Sequence, residues 1–547
     1  MPINIKNDTP WLLVLFLAVA VQLSGINIVF FTDDPGLYAA LAKNMVLRGN
    51  YWELVSYGKS WLDKPHFPFW MAALSFKIFG FYSWSYRLPA LLFYLLSVFY
   101  TYLFAKKNYG QNTAIVAALI LLTAQHIFMS DVDVRAEPYL MALIIGSVYH
   151  FYQLENRFRW KDLLLGSLFA GCAVMTKGVF ALIPIGAAVL GNLLLKKKYQ
   201  EIFHWKWLLA IILTAIFILP EIYSLYVQFD AQPQNSVIGS QHISGIHWFL
   251  WDSQFGRFIN SGPITRPQGS KLFYVHTLIW AFAPWFFMLF YAVLITLKKV
   301  WQKQHQPEYY SICGALSMWL IFSLSGFQLP FYTNIIFPFF SIFTAAVWVT
   351  VVSKKLIFYL KIIQYLQIGI LVVAIFAFNY FLHSSQIILF CVEAMVFFLL
   401  IFYLYKKTSG FSLIFLLSCG TLIFVNFYLN SIFYPLLTTY KSDYSAAKYL
   451  NQTRPKQPVF VLDSLNNPFQ FYTNQPVQLL SKTELKQQLP PAKIIYVDSV
   501  SLKNLQQKHS FKIIGSFTDY PQEKILKNFI WYKKRPETLV KRYLILY

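Results

Sequence analysis

Charge is what this chain has least of. Only 13% of its 547 residues are Asp, Glu, Lys or Arg, about half the usual share of a soluble globular protein. That shortage excludes a soluble enzyme, a disordered chain and a coiled coil. Acids are scarcer than bases, 23 Asp and Glu against 46 Lys and Arg. Cysteine is nearly missing: Cys172, Cys313, Cys391 and Cys419 all lie in apolar stretches without CxxC spacing, which points away from a disulfide framework or a zinc site. No GxGxxG or HExxH occurs, and Gly58-Lys59-Ser60 fails as the end of a phosphate loop because Glu53 stands where its first Gly is needed. The ten His are scattered, so spacing names no metal.

What fills the chain instead is apolar. Hydrophobic residues make up 57% and aromatic residues 19%, and mean hydropathy is +0.49. A bilayer core takes about 20 residues of helix. Thirteen runs fit a polytopic α-helical membrane protein: 11–30, 87–105, 113–130, 137–154, 163–180, 182–195, 207–227, 274–297, 309–325, 330–351, 358–379, 386–405 and 412–432. The sixth is short. The first follows a polar leader with no small-residue cleavage site and reads as a retained anchor.

The surplus of cations could suggest nucleic acid, but their placement suggests a bilayer. With the N-terminus cytoplasmic, every second loop is a short basic clip, from Lys106-Lys107 to Lys406-Lys407. These inner loops carry seventeen Lys and Arg against Glu155, Asp162, Glu201 and Glu308, as the positive-inside bias requires. The odd number of spans puts the C-terminus outside. The large pieces then face outward: loops 31–86 and 228–273, and a tail from 433. The division is a transmembrane domain at 1–432 and a small α/β domain at 433–547. In the tail, β-like runs lie at Pro458–Asp463, Lys493–Asp498, Phe511–Phe517 and Phe529–Lys533, with helix-like stretches at Ser442–Leu450 and Ser481–Leu489.

Acids concentrate in two outer loops. Asp33 and Asp34 end the first span, just before Pro35, and adjacent carboxylates tend to raise one pKa, one way to make a base. The plainer reading is a helix start, since Asp before Pro is a good N-terminal signal. The second loop, Ser130-Asp131-Val132-Asp133-Val134-Arg135-Ala136-Glu137-Pro138, puts three carboxylates and an Arg on the same face. The plainer reading is a solvated hairpin with Glu137-Pro138 opening the next helix, though acids gathered in two outer loops are unusual for a pure anchor.

The chain resembles a GT-C glycosyltransferase of the bacterial aminoarabinose (lipid A) transferase and protein O-mannosyltransferase superfamily. Asp34 followed by Tyr38 matches the acidic motif after the first helix, with Pro35 replacing the usual Glu. Leu62-Asp63-Lys64-Pro65 through Trp70 is similar to a Glu-Lys-Pro-Pro block, and Arg87-Leu88-Pro89 to the opening of the second span. Glu137-Pro138 sits where the family has Asp-Pro, and Thr176-Lys177-Gly178 matches Thr-Lys-Gly. Gly256-Arg257-Phe258 resembles an Arg-Phe pair. The Ser325–Pro338 segment, with Leu329-Pro330 and Tyr332, looks like Lys-Leu-Pro-x-Tyr with Gln328 in place of the Lys. Seven short motifs in order span most of the chain.

The resemblance implies transfer of a sugar from a polyprenyl (undecaprenyl) phosphate carrier to a lipid, glycan or protein acceptor outside the cytoplasm. The protein would sit in a bacterial inner membrane, with its C-terminal domain periplasmic and no nucleic-acid partner. A cation is needed to hold the departing lipid phosphate, where charge builds in the transition state. Lys64 comes first for that role and Arg257 second, with Arg135 and Arg87 behind them; Arg87 reads equally as a snorkelling helix-end residue. Asp34 would be the general base of an inverting transfer. Glu137 would orient the acceptor or share a divalent metal. Asp33, Tyr38, His66 and Tyr332 would line the substrate cavity. The missing Lys at Gln328 weakens carry-over of lipid A as acceptor. A transporter or flippase for a polyprenyl-linked substrate is the competing class, and it expects ionisable groups along a mid-membrane path and two related halves. A scaffold presenting the C-terminal domain is the third.

Overall fold

A computed structural model of the chain describes residues 8–237, 241–256, 258–261, 269–350, 353–454, 457–462, 466–480, 493–507 and 510–547. All thirteen apolar runs fall on helical structure. The first helix, α1 (Asp8–Ser24), stops early, ahead of Gly25. Among the described residues, six helices are long and apolar enough to cross a membrane by themselves. A bent pair, Gln111–Leu122 with Gln125–Val132, makes a seventh if counted as one span. The remaining runs form shorter or more polar helices, so the expected number of crossings exceeds what length and apolarity alone support.

Residues 31–86 fold instead of looping. Helix α2 (Asp33–Arg48) ends on Gly49, whose φ of 64° is left-handed and favours glycine. A short hairpin follows, β1 (Val55–Ser56) with β2 (Lys59–Ser60), then helix α3 (Phe67–Phe79). Ala39, Ala40, Leu41 and Ala42 of α2 are fully buried, as are Ala72 and Ala73 of α3, so these helices pack closely through small residues. Next comes the long helix α4 (Ser83–Tyr109).

The bend in the third apolar run positions the chemistry. Helix α5 (Gln111–Leu122) and helix α6 (Gln125–Val132) meet at 53°. At the break Thr123 accepts a hydrogen bond from the Trp285 indole at 3.1 Å, and the Gln125 N–H donates to the Ala283 carbonyl at 3.1 Å. These partners hold polar groups that an unbroken helix would bond to itself. The turned α6 delivers Asp133 and Arg135 beside α2, just ahead of helix α7 (Glu137–Asn156). Helix α8 (Trp160–Lys177) runs alongside α7 and ends next to where α7 begins.

The last apolar helix, Gly410–Tyr428, continues through a π-turn to Thr439. Beyond it lies a five-stranded mixed sheet in the order β4-β3-β5-β7-β6. Its strands are β3 (Val459–Leu462), β4 (Val477–Leu480), β5 (Ile494–Asp498), β6 (Lys512–Asp519) and β7 (Val540–Leu546). β3 pairs in parallel with β4 and β5, while β7 runs antiparallel to β5 and β6. The expected strand at Phe529–Lys533 is not one. Lys527–Ile530 is a helical turn whose Phe529 packs on Tyr520, with ring centroids 4.3 Å apart. The expected helix at Ser481–Leu489 lies outside the described residues.

The sheet domain is fastened to α2 by the helix Asn467–Tyr472. A Cβ on Gly36 would stand 2.6 Å from the Pro468 nitrogen, so only glycine permits this approach. The buried Lys43 amine donates to the carbonyls of Phe471 and Thr473 at 2.8 and 2.6 Å, which satisfies the end of that helix. Burial lowers the pKa of Lys43 to about 8. The Tyr472 hydroxyl accepts from the Phe30 N–H at 2.8 Å and bonds the Ser83 hydroxyl at 2.6 Å.

Candidate active site

The first turn of α2 carries Asp33, Asp34 and Pro35. Carboxylates are at home at a helix N-terminus, yet neither caps this one. The N-cap residue, Thr32, makes no capping bond and instead donates its hydroxyl to Asp133 at 2.5 Å. Asp34 forms an ion pair with Arg135. The same guanidinium reaches Asp133 through Nε and Nη2, at 3.1 and 3.0 Å. Burial works against the charge of Arg135, but Asp133 and Asp34 hold its pKa well above the usual value. Burial raises Asp34, with Asp133 adding to the rise and Arg135 opposing it. The Asp34 side chain is still 41% exposed, so a substrate can reach it.

Glu137, in the first turn of α7, is only 2% exposed and pairs with Lys177 at 2.5 Å. Lys177 closes α8, and its Nζ also lies 3.9 Å from the centre of the Tyr332 ring. Gly178 follows with φ 99°, and a Cβ there would strike the Gln254 side chain at 2.1 Å, so glycine is required for α8 to end here. The Lys177 motif was visible in the sequence, but its partnership with Glu137 was not, because they lie forty positions apart.

The other expected residues divide. Tyr38, one turn after Asp34, is buried against Phe69 and Trp61; burial first, then Asp34 and Asp63, push its phenol far up. Lys64 pairs with Asp63 at 3.2 Å and lines a small pocket with Lys177, Glu221 and Gln254. Asp33 faces the sheet domain, where its N–H reaches Glu523 at 3.5 Å. Its carboxyl is raised to about 6 by desolvation, then by Glu523 and Asp34. Arg257 lies outside the described residues.

Two residues are placed away from open space. Arg87 is 1% exposed, sits over the Phe30 ring and donates to the carbonyls of Val132, Ile26 and Ile28. It clamps the chain after α1 to the end of α6, a structural task in place of the expected phosphate contact. His66 is also 1% exposed. Its N–H and its Nδ1 reach the Glu221 carboxylate at 2.8 and 3.0 Å, and its ring lies on Trp70. It anchors the loop that bears Lys64 and does not line the cavity expected for it.

Two spaces meet at these residues. One is an apolar groove among Leu140, Phe180, Met318, Phe322 and Tyr332, with the Lys177 amine on its wall. The other is a cavity of about 510 Å³ bounded by Asp133, Arg135 and Glu137 at one end and by Phe433, Leu437 and Ile525 at the other. Phe331 and Tyr332, on the 3-10 turn Pro330–Ile336, stand between them. Arg135 lies 4.5 Å over the Phe331 ring. Glu523 and Lys524 of the sheet domain also border the cavity; nothing in the sequence singled them out. A divalent ion bridging Asp34 and Asp133 does not fit, because the Arg135 guanidinium occupies that position. Among the described residues no three His, Cys, Asp or Glu group to hold a metal. The arrangement offers a reachable carboxylate, cations flanking an apolar groove, and a roomy second space beside them.

Comparison with known proteins agrees. Residues 63–223 match the family described as dolichyl-phosphate-mannose-protein mannosyltransferase. An undecaprenyl phosphate-alpha-4-amino-4-deoxy-L-arabinose arabinosyl transferase of Proteus mirabilis is 25% identical over 59% of this chain and 56% of its own length. A second, from Pseudomonas paraeruginosa, is 25% identical over 55% and 52%. The chain thus spans about half the length of the curated relatives it matches. The crystal structure of ArnT from Cupriavidus metallidurans bound to undecaprenyl phosphate superposes with a TM-score of 0.76 at 15% identity, covering 99% of this chain and 98% of that one. The chain thus has the multi-pass GT-C fold seen in ArnT, and its residues 63–223 are similar to the mannosyltransferase family.

Proposed function

We propose that the protein transfers a sugar from a polyprenyl phosphate, undecaprenyl phosphate first, to an acceptor on the outer side of a bacterial inner membrane, with inversion at the anomeric carbon. The observation that carries this is that Asp34 pairs with Arg135, which borders the open cavity, while Glu137 on the same cavity pairs with Lys177 of the apolar groove. A glycosyl phosphate already has a good leaving group, so no strong general acid is needed. Lys64 and Lys177 hold the departing phosphate while its prenyl chain lies in the groove behind Tyr332. Asp34 takes the proton from the attacking acceptor, and burial, by raising its pKa, makes it a stronger base. Arg135 and Asp133 fix its carboxylate. Similarity to the undecaprenyl phosphate arabinosyl transferases supports a carrier-linked donor over the transporter alternative.

The test uses purified protein in detergent with radiolabelled undecaprenyl-phosphate sugars and cell-envelope extract. The wild type is expected to move label to an acceptor. Asp34→Asn is expected to lose about a hundred- to ten-thousand-fold in rate while eluting unchanged on size exclusion. Equal transfer by both proteins sinks this role for Asp34.

A further inference from the structure

Resting on that reading, we infer that the acceptor is an amphiphile presenting an uncharged sugar hydroxyl to Asp34 in preference to a phosphate, and that Glu523 of the sheet domain enforces the choice. The cavity has two kinds of wall. Its far side is apolar, built by Phe378, Phe433 and Leu437 of the membrane helices with Ile525 and Ile530 of the sheet domain. An apolar wall of this kind suits a hydrocarbon chain. Its near side holds the groups around Asp34.

The charges on that near side are committed. Arg135 is shared by Asp34 and Asp133, and Lys177, beside Glu137, belongs to the groove that takes the donor's phosphate and does not border this cavity. Lys441 donates to the carbonyls of Tyr520 and Gln522, and Arg542 pairs with Asp519. Asp33 and Glu523 then stand together, with Lys524 the cation beside them on the cavity wall. A phosphate brought to Asp34 adds negative charge where carboxylates already crowd one another in a partly dehydrated space, and like charges repel most strongly there. A neutral hydroxyl meets no such repulsion. Burial first, and then Glu523 and Asp34, raise the Asp33 carboxyl.

The segment carrying Glu523 is held in place before any acceptor arrives. The Tyr520 hydroxyl donates to the Lys524 carbonyl at 2.6 Å and accepts from the Leu526 N–H at 2.9 Å. Farther along, the Tyr532 N–H bonds the Phe381 carbonyl at 3.0 Å and Arg535 bonds that of Leu382 at 2.6 Å. Both carbonyls top the membrane helix Lys354–Leu382. A lip braced at both ends can select by charge, because it does not swing away from an unwelcome group.

The experiment measures binding of dodecyl β-glucoside and of its 6-phosphate to the full-length protein in phosphatidylcholine nanodiscs. The neutral glycolipid is expected to bind about tenfold tighter or more. Glu523→Lys should shrink that ratio to near one or invert it, and Glu523→Gln should fall between, with melting temperatures confirming that the variants fold. Equal or tighter binding of the phosphate by wild type overturns the inference. So does a preference that survives both substitutions, or the failure of both probes to bind. A wild type that shows the preference yet moves no sugar from any undecaprenyl-phosphate donor defeats the transferase reading and leaves the charge selection standing.

Discussion

Arg135 divides its hydrogen bonds between two carboxylates, and that division sets how each answers substitution. Arg135 is the main influence pulling the Asp34 pKa down against burial. Removing it raises the pKa further, so the carboxylate, the form that accepts a proton, appears only at higher pH. In Arg135→Ala the acid limb of the pH–rate profile is expected to move to higher pH, with part of the lost rate returning as pH rises. Arg135→Lys should hold the limb near its wild-type position. The Glu137–Lys177 pair behaves differently because Glu137 is buried. Lys177→Met strands a buried carboxylate and is expected to cost about 3–5 kcal/mol, read as a lower melting temperature. The double variant Glu137→Gln with Lys177→Met should regain most of that stability and none of the transfer. Asp34, Glu137 and Arg135 drew notice in the sequence because charge is rare in this chain and theirs clusters in two outer loops. The tasks of Arg87 and His66 were not, since both depend on carbonyls and a carboxylate supplied by distant segments.

Helices were easier to read than strands. Apolar runs long enough for a bilayer announce themselves by composition, and all thirteen became helical. Strand β7 escaped because Lys541-Arg542 interrupts its apolar run, and its place is set by pairing with β5 and β6. The seam between α2 and the helix Asn467–Tyr472 was equally invisible, since nothing local says that Gly36 must admit Pro468. That seam is testable. Gly36→Ala puts a Cβ 2.6 Å from backbone and is expected to cost about 1–3 kcal/mol. Because Gly36 is two positions from Asp34, transfer should fall along with the melting temperature, whereas alanine at Gly49, which meets nothing within 4 Å, should affect stability alone through its positive φ.

For the whole molecule, the charge pattern proposes an orientation that the fold makes easy to check. On that pattern the sheet domain, α2 and the cavity would lie on one side and the basic clips on the other. In a cysteine-free background, Ser516→Cys is expected to react with a membrane-impermeant maleimide in intact spheroplasts. Lys303→Cys should react only after lysis. Reversed labelling would place the site on the cytoplasmic side and end the carrier-transfer scheme.

The contact between Gly36 and Pro468 also bears on time. More than four hundred residues separate the two, so at roughly 5–20 residues per second the ribosome finishes the lip on the order of a minute after α2 has emerged. Through that interval Asp34 and Arg135 already stand at the membrane surface, but the wall that Glu523 supplies does not exist. A chain still being made, or one that stalls before its end, therefore displays the acid without the selector. Completion of synthesis is what equips the protein to discriminate, and an interrupted chain can neither seat α2 nor choose what approaches it.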